Sequence, residues 1–170
     1  MKTHSLISTL VIAFISFSTA SYSQVSATAV ATATVITPIS ITWATDMSFG
    51  KLAVNATGGY VDLTPGSGIT ANNGVKLVTG GTVTAASFTV LGTANLAYSI
   101  SLPGTVTLTN TVNSGQTMLA SAFISSPTPT GTLDGSGSQM LYVGARLSVP
   151  GSQLEGIYNS TPFTVTVNYN

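Results

Sequence analysis

The sequence predicts an all-β fold, an antiparallel β-sandwich of the immunoglobulin-like kind. Thr, Val and Ala recur in short runs in which apolar and polar residues alternate, as they do in half-buried strands. Gly, Pro and Asn separate these runs at intervals of about 8–12 residues, which is typical of sandwiches and barrels. No stretch after residue 24 keeps a helical period over several turns.

The amino-terminal residues 1–23 have the three-part pattern of a secretory signal peptide. Lys2 and His4 lie in a polar start, Leu6–Phe17 is apolar, and small residues at 18–23 fit a cleavage site. The apolar stretch spans about a dozen residues, whereas a membrane-spanning helix needs about 20. We therefore predict a secreted bacterial protein, located in the periplasm, on the outer surface or outside the cell. Its mature chain, 24–170, has no predicted transmembrane segment.

The mature chain is long enough for one domain with its own core. Its first predicted strand is Val25–Ile36, within an amino-terminal segment of residues 24–37. One face of that strand carries only small apolar side chains, namely Val25, Ala27, Ala29, Ala31, Ala33 and Val35. Pro38 ends the run, because proline lacks the N–H that a ladder needs. A second predicted strand, Ile39–Trp43, follows.

The remaining strands are predicted from β-branched and aromatic residues between turn residues. They are Phe49–Val54, Tyr60–Leu63, Val75–Val78, Ala86–Leu91, Tyr98–Leu102, Val106–Asn110, Met118–Ile124, Met140–Val149 and Phe163–Tyr169. Asn73-Gly74 predicts a tight turn and Pro103-Gly104 a hairpin between its flanking strands, and Gly58-Gly59 and Gly80-Gly81 predict further reversals. Residues 125–138 are rich in Ser, Pro and Gly and predict a mobile loop.

Charge and composition exclude several functional classes. Only 5% of residues are charged, against about 25% in an ordinary domain, and no basic cluster favours nucleic acid. The chain has no cysteine, and its one histidine lies in the signal segment. A catalytic triad or a typical zinc site therefore has no candidate residues. We predict no enzymatic activity, no cofactor and no metal; Asp134, in a glycine-rich segment, is interpreted as a turn residue rather than a calcium ligand.

Two side-chain features bear on binding. Trp43 is the only tryptophan, and we expect it in the core, although an exposed tryptophan would offer a stacking surface for sugars. The strands carry Thr and Ser where other proteins place Lys and Glu. Because charges at sheet edges prevent edge-to-edge pairing, their scarcity suggests edges that pair by design; unselected drift in composition is the alternative.

The final stretch of the sequence is its most informative. Phe163, Val165, Val167 and Tyr169 alternate with polar residues, and Gly156 precedes them by several positions. A glycine fourteen residues before the end, an alternating strand and a penultimate aromatic residue resemble the ending of chaperone–usher pilus subunits. The segment Gly156–Tyr169 is similar in particular to the spore coat protein U and archaic pilin branch.

The mature chain as a whole resembles the secreted bacterial family called domain of unknown function 4402. The matching features occur in a consistent order over about 120 residues. They are Phe49-Gly50, Phe88–Gly92, Tyr98–Pro103, Leu108–Asn110, Leu141–Ala145, and Gly156 with Tyr158. This resemblance implies a secreted β domain and carries no established activity.

The pilin resemblance implies a function in assembly. It implies that residues 25–36 complete the open sandwich of another subunit by strand addition, with Phe163, Val165, Val167 and Tyr169 as the receiving face. Self-association, other pilus subunits and a periplasmic chaperone are the implied partners. The alanines are small plugs and the disulfide common in pilins is absent, so Val25–Ile36 is alternatively the first strand of its own sandwich. A sugar- or polymer-binding module and a self-contained envelope protein remain alternative functions.

Overall fold

The computed structural model describes residues 23–170, and eleven strands and no helix lie in that range. Residues 35–170 form one compact unit, and residues 23–34 are described by themselves. The strands are β1 (Ser40–Thr45), β2 (Ser48–Leu63), β3 (Ile69–Thr84), β4 (Ala86–Leu91), β5 (Ala97–Ser101), β6 (Thr105–Asn110), β7 (Thr117–Ser126), β8 (Thr130–Thr132), β9 (Ser138–Val149), β10 (Tyr158–Ser160) and β11 (Thr166–Tyr169).

All strand pairs are antiparallel, and they form two sheets. The larger sheet has the order β1-β4-β9-β7-β6-β10, with β2 on β9 and β3 on β2, and the smaller has the order β11-β5-β8. The strands β10 and β11 are consecutive in the chain but belong to different sheets, since β10 pairs with β6 and β11 with β5. The predicted all-β antiparallel sandwich is confirmed.

The central strand β9 exchanges its partner at Gly144. Its first half pairs with β4 and its second half with β2, and Gly144 lies between the two ladders. A Cβ atom at Gly144 would collide with the backbone carbonyl oxygen of Leu63. Glycine is therefore required here because the backbones of β2 and β9 come too close for any side chain.

Two hydrophobic clusters make up the core. One gathers around Val61, Leu63 and Leu147, and the other around Tyr98, Leu141 and Val143. Met47 and Phe123 pack against both clusters and join them. The alternating residues of β9 supply side chains to both, which explains why this strand is central.

Several predicted turns lie inside strands instead. Gly58-Gly59, Asn73-Gly74 and Gly80-Gly81 all fall within the long pair β2–β3, where the register shifts. Asn73 has φ 58° and Gly80 has φ 80°, so the residues have the backbone conformation expected of a turn. Bulges need the same conformation as tight turns, and sequence alone does not separate the two.

Three further predictions are corrected. The strand predicted over Val25–Ile36 is not formed, since residues 23–39 belong to no strand. An alternating sequence is compatible with a sheet, but a strand also needs a neighbouring strand with which to form hydrogen bonds. Residues 125–138 contain β8 and the buried Leu133, so they are not one mobile loop. Residues 163–165 lie outside β11. The predicted signal peptide falls, except for Ser23, outside the described residues.

Candidate assembly surface

Gly156 begins the stretch that leads into β10 and β11. It has φ 144°, and a Cβ atom there would lie 2.8 Å from Nδ2 of Asn110. The amide of Asn110 is buried and fixed, because its Oδ1 accepts hydrogen bonds from the backbone N–H groups of Val112 and Asn113. Gly156 thus lets the chain pass over a rigid amide and pair with β6.

The strand β11 has one apolar face. Val165 and Val167 are each 7% exposed, and Phe163 and Tyr169 are half-buried on the same side. The Phe163 ring packs against Phe123, with 5.5 Å between the ring centroids. The structure therefore brings together the four alternating residues that the sequence predicted as one face.

The same strand has an open edge. The N–H of Asn170 donates to the carbonyl of Ala97 in β5, and the paired registers alternate from there. The backbone groups of Thr166 and Asn168 are accordingly directed towards β5, while those of Val167 and Tyr169 are directed away from it. Within residues 23–170 no strand pairs with that outer edge. A buried side-chain face and an open backbone edge are thus combined in one strand.

Tyr169 fastens β11 to the beginning of the folded unit. Its hydroxyl donates to the carbonyl of Thr37 over 2.8 Å and accepts from the N–H of Thr93 over 2.7 Å. The N–H of Thr37 also donates to Oγ1 of Thr93 over 2.9 Å. We call these three residues the latch. It fixes the point at which residues 23–36 join the body.

An apolar groove of about 620 Å³ opens at the other end of β11. Trp43 and Asp46, which we call the lip, line it together with Phe88, Ser160 and Phe163. Trp43 is 65% exposed, so the expectation of a core tryptophan is wrong. Trp43 pairs in register with Phe88 and lies on the same face of β1 as Ile41, so its exposure follows from the open groove on that face and not from a change of face.

The indole of Trp43 is held in place at the lip. Its Nε1–H donates to Oδ1 of Asp46 over 3.1 Å. Sequence reasoning missed Asp46, Thr37 and Thr93 as parts of this surface, because each acts through a contact that only the tertiary fold creates. No local sequence signal marks these three residues.

Val25 and the four alanines of the predicted donor face lie in the segment described by itself, and Val35 is the first residue of the compact unit. Val25 is 94% and Val35 95% exposed, and Ala27, Ala29, Ala31 and Ala33 are exposed as well. We call residues 24–36 the arm. Its apolar face meets solvent, which is unfavourable for valine in an isolated monomer.

Two acidic side chains of the described residues, Asp62 and Asp134, are engaged in hydrogen bonds that stabilise the fold. Asp62 accepts two hydrogen bonds from Arg146, the shorter 2.7 Å, and Arg146 also lies over the Tyr60 ring. Asp134 accepts from the N–H groups of Ser136 and Ser138 and from the Ser136 hydroxyl. Those bonds, the Ser136 hydroxyl first, hold the pKa of Asp134 below its usual value.

No cluster of metal-ligating side chains is present within the described part of the chain. His, Cys, Asp and Glu nowhere come together there in a group of three that could hold a metal ion. The same range contains no helix that is long and apolar enough to cross a membrane.

Comparison with known proteins gives one match. The model of a family described as Domain of unknown function (DUF4402) matches residues 39–169. Neither the curated proteins nor the solved structures contain a significant match. The matched residues include β1, the lip and β11, and they begin after the arm.

Proposed function

The chain belongs to the family described as Domain of unknown function (DUF4402), and from the arm and the open edge of β11 we propose that it is an exported structural or adhesive protein of the bacterial surface. Its activity is non-enzymatic: it is a pilin-like subunit that assembles by β-strand addition. The arm of one copy adds to the open edge of β11 in another. A periplasmic chaperone and other pilus subunits are the partners that such a mechanism requires.

The observation that carries the proposal has two parts: a segment that alternates like a strand but pairs with none, and a strand edge that is unpaired among the described residues. The arm alternates in sequence, belongs to no strand and exposes Val25 and Val35 almost completely. The outer edge of β11 at Val167 and Tyr169 has unpaired backbone groups over a buried apolar face. Strand addition satisfies both, because main-chain bonds supply affinity and alternate side chains fill pockets.

The scarcity of charge supports the same function. Natural sheets usually protect an exposed edge with lysine, glutamate or proline. Neither the arm nor the stretch from Thr161 to Asn170 contains a charged side chain, and Pro162 is the one such protective residue there. These two segments therefore carry no charged side chains that would oppose their pairing.

The acidic groups also fit a non-enzymatic protein. Glycosidase chemistry needs two carboxyl groups that face one substrate. Asp62 is engaged with Arg146, Asp134 with its own turn and Asp46 with the indole N–H of Trp43.

The decisive experiment compares two lysine substitutions in the arm of residues 24–170. Ala31→Lys places a charge on the apolar face, and Thr32→Lys places the same charge on the polar face. We expect concentration-dependent, heat-resistant oligomers for the unaltered protein and for Thr32→Lys, and a monomer for Ala31→Lys. Size-exclusion chromatography with light scattering measures each mass.

A monomeric unaltered protein at every concentration would contradict the proposal and favour a self-contained envelope protein. Equal assembly of both lysine variants would contradict it as well, since the apolar face would then have no role. Removal of residues 24–37 provides a second test, because it abolishes oligomers only if the arm joins copies. Neighbouring genes for a periplasmic chaperone and an usher would add support.

A second candidate function, binding of a carbohydrate or surface polymer, is favoured by Trp43. An exposed indole held by Asp46 at the lip of an apolar groove is a suitable stacking surface for a pyranose ring. A glycan array tests this with the unaltered protein and Trp43→Ala, and Trp43→Phe keeps an aromatic face as a control. Absence of glycan binding, or equal binding by Trp43→Ala, removes this candidate.

A further inference from the structure

The larger sheet contains a two-stranded ribbon whose outer edges are open. Ser48–Val54 of β2 pairs with Val75–Thr84 of β3, and the ladder between β2 and β9 covers only Gly59–Leu63. Among the described strands, β3 pairs with β2 alone, and residues 76–80 of β3 are all exposed. We call Ser48–Val54 and Val75–Thr84 the ribbon. Within the part of the chain that the structure describes, no strand pairs with either of its outer edges.

Each strand of the ribbon carries one lysine. Lys51 lies in β2 and Lys76 in β3, and they are the only lysines of the sequence after residue 23. Lys51 pairs with Val78 and Lys76 with Ala53, so the two lysines are diagonal neighbours on one exposed face. Diagonal neighbours in a ladder lie about 7–8 Å apart. Neither lysine forms a salt bridge with another described residue, so two like charges lie side by side.

We propose that Lys51 and Lys76 keep the ribbon of one copy from pairing with the ribbon of another, and that the edge of β3 binds β3 of a second copy once the charge of Lys76 is removed. Natural sheets place lysine on exposed edges to prevent edge-to-edge pairing. The open edge of β11 lacks this protection, since the stretch from Thr161 to Asn170 has no charged side chain. The consequence that copies pair only at β11 rests on the proposed function, whereas the protection of β3 does not.

The position of Lys76 makes this protection effective. Seven residues of β3 precede Lys76 and eight follow it, so it lies at the middle of the strand. A second copy of β3 that pairs antiparallel along the whole edge is related to the first by a two-fold axis perpendicular to the sheet. The two copies of Lys76 then lie directly opposite or diagonal to each other, and Lys51 of each copy adds a further charge. Like charges in these positions destabilise a sheet.

Apart from Lys76, the edge of β3 has the features of a strand that pairs. β3 spans sixteen residues, contains no proline, and has Lys76 as its only charged residue. Its valines and threonines favour a pleated strand, and the neighbouring Leu77 and Val78 are 44% and 46% exposed. A long and exposed apolar edge associates with other edges unless something opposes the contact. The charge of Lys76 therefore determines whether this edge binds a second copy.

The test uses residues 24–170 with Ala31→Lys as the parent protein, because that change prevents assembly through the arm under the proposed function. In this parent, Lys76→Thr removes the charge and keeps a residue that favours strands. Lys76→Arg keeps the charge and is the matched control. The parent and Lys76→Arg have four cationic and four acidic side chains, whereas Lys76→Thr has three and four. Loss of net charge promotes association, so it would favour association of the control and not of Lys76→Thr.

We expect light scattering to give the mass of two chains for Lys76→Thr and of one chain for the parent and for Lys76→Arg. Pairing of the same edge in both copies is isologous, so it stops at two copies. A mass of one chain for Lys76→Thr at every concentration, or equal association of Lys76→Arg, overturns the proposal. Assembly of the Ala31→Lys parent contradicts the proposed function instead. The mass of Lys76→Thr relative to Lys76→Arg then still decides whether the charge protects β3.

Discussion

The phenolic oxygen of Tyr169 lies 2.8 Å from the carbonyl oxygen of Thr37, although 132 positions separate the two residues. The same hydroxyl accepts a hydrogen bond from the N–H of Thr93. One tyrosine therefore fixes both the outer strand of the smaller sheet and the root of the arm. The open edge of β11 is held at one end by this contact.

Tyr169→Phe removes the two hydrogen bonds that the Tyr169 hydroxyl makes in the latch and leaves the ring in place. We expect the free energy of unfolding to fall by about 1–3 kcal/mol, because the Thr93 N–H loses its partner and Thr37 loses its shorter one. Urea denaturation measures the loss. Tyr142→Phe is the matched control, since Tyr142 is 41% exposed; equal losses for the two variants would show that the latch contributes nothing.

Gly144→Ala tests the close approach of β9 and β2. The added methyl group would meet the carbonyl oxygen of Leu63, so we expect a loss of about 1–3 kcal/mol from forced backbone shifts. Gly104→Ala is the control, because nothing lies within 4 Å of a Cβ atom there. Thermal melts compare the melting temperatures of the two variants. An unchanged melting temperature for Gly144→Ala would contradict the close approach of β9 and β2 at this position.

Trp43→Ala tests whether the indole lies at the surface. A side chain that is 65% exposed should cost less than about 1 kcal/mol on removal. Leu141→Ala, at a fully buried position, should cost about 2–5 kcal/mol. If Trp43→Ala also lowered the free energy of unfolding by about 2–5 kcal/mol, the indole would be in the core. Fluorescence of the single tryptophan should also shift to shorter wavelength when copies assemble.

Asp134→Asn tests the turn that precedes β9. Hydrogen bonds lower the pKa of Asp134 in the folded state, so the ionised form contributes stability above the unfolded pKa of about 3.9. That contribution is lost as the pH falls through the folded pKa. We therefore expect Asp134→Asn to lose less stability than the unaltered protein when the pH falls below about 4. Identical acid profiles by circular dichroism would contradict the role of these bonds.

Much of the fold could be predicted from alternation and turn residues. The bounds of β4 match the sequence prediction, and Pro103-Gly104 does separate β5 from β6. The hairpin predicted there is wrong, because β5 and β6 belong to different sheets. The bulges could not be predicted, because Asn73-Gly74 has the same backbone preference in a turn and in a bulge. Trp43 was misplaced because alternation predicts the face on which a side chain lies, but not whether another element covers that face.

The candidate assembly surface could be predicted only in part. The pattern of Phe163, Val165, Val167 and Tyr169 defines their common face, since side chains alternate along any strand. Which edge of β11 is open depends on its pairing with β5, and that is a property of the tertiary fold. The groove at the Phe163 end likewise depends on the tertiary fold, since residues of β1, β4, β6, β7 and the stretch before β11 line it.

Amide exchange at Val167 tests the central claim of strand addition most directly. The N–H of Val167 points to the open edge, whereas the N–H groups of Thr166 and Asn168 point to β5. We expect the Val167 amide of residues 24–170 to exchange rapidly in monomeric Ala31→Lys and slowly in assembled unaltered protein. Thr166 and Asn168 should be protected in both. Rapid exchange at Val167 in assembled protein would contradict strand addition at this edge.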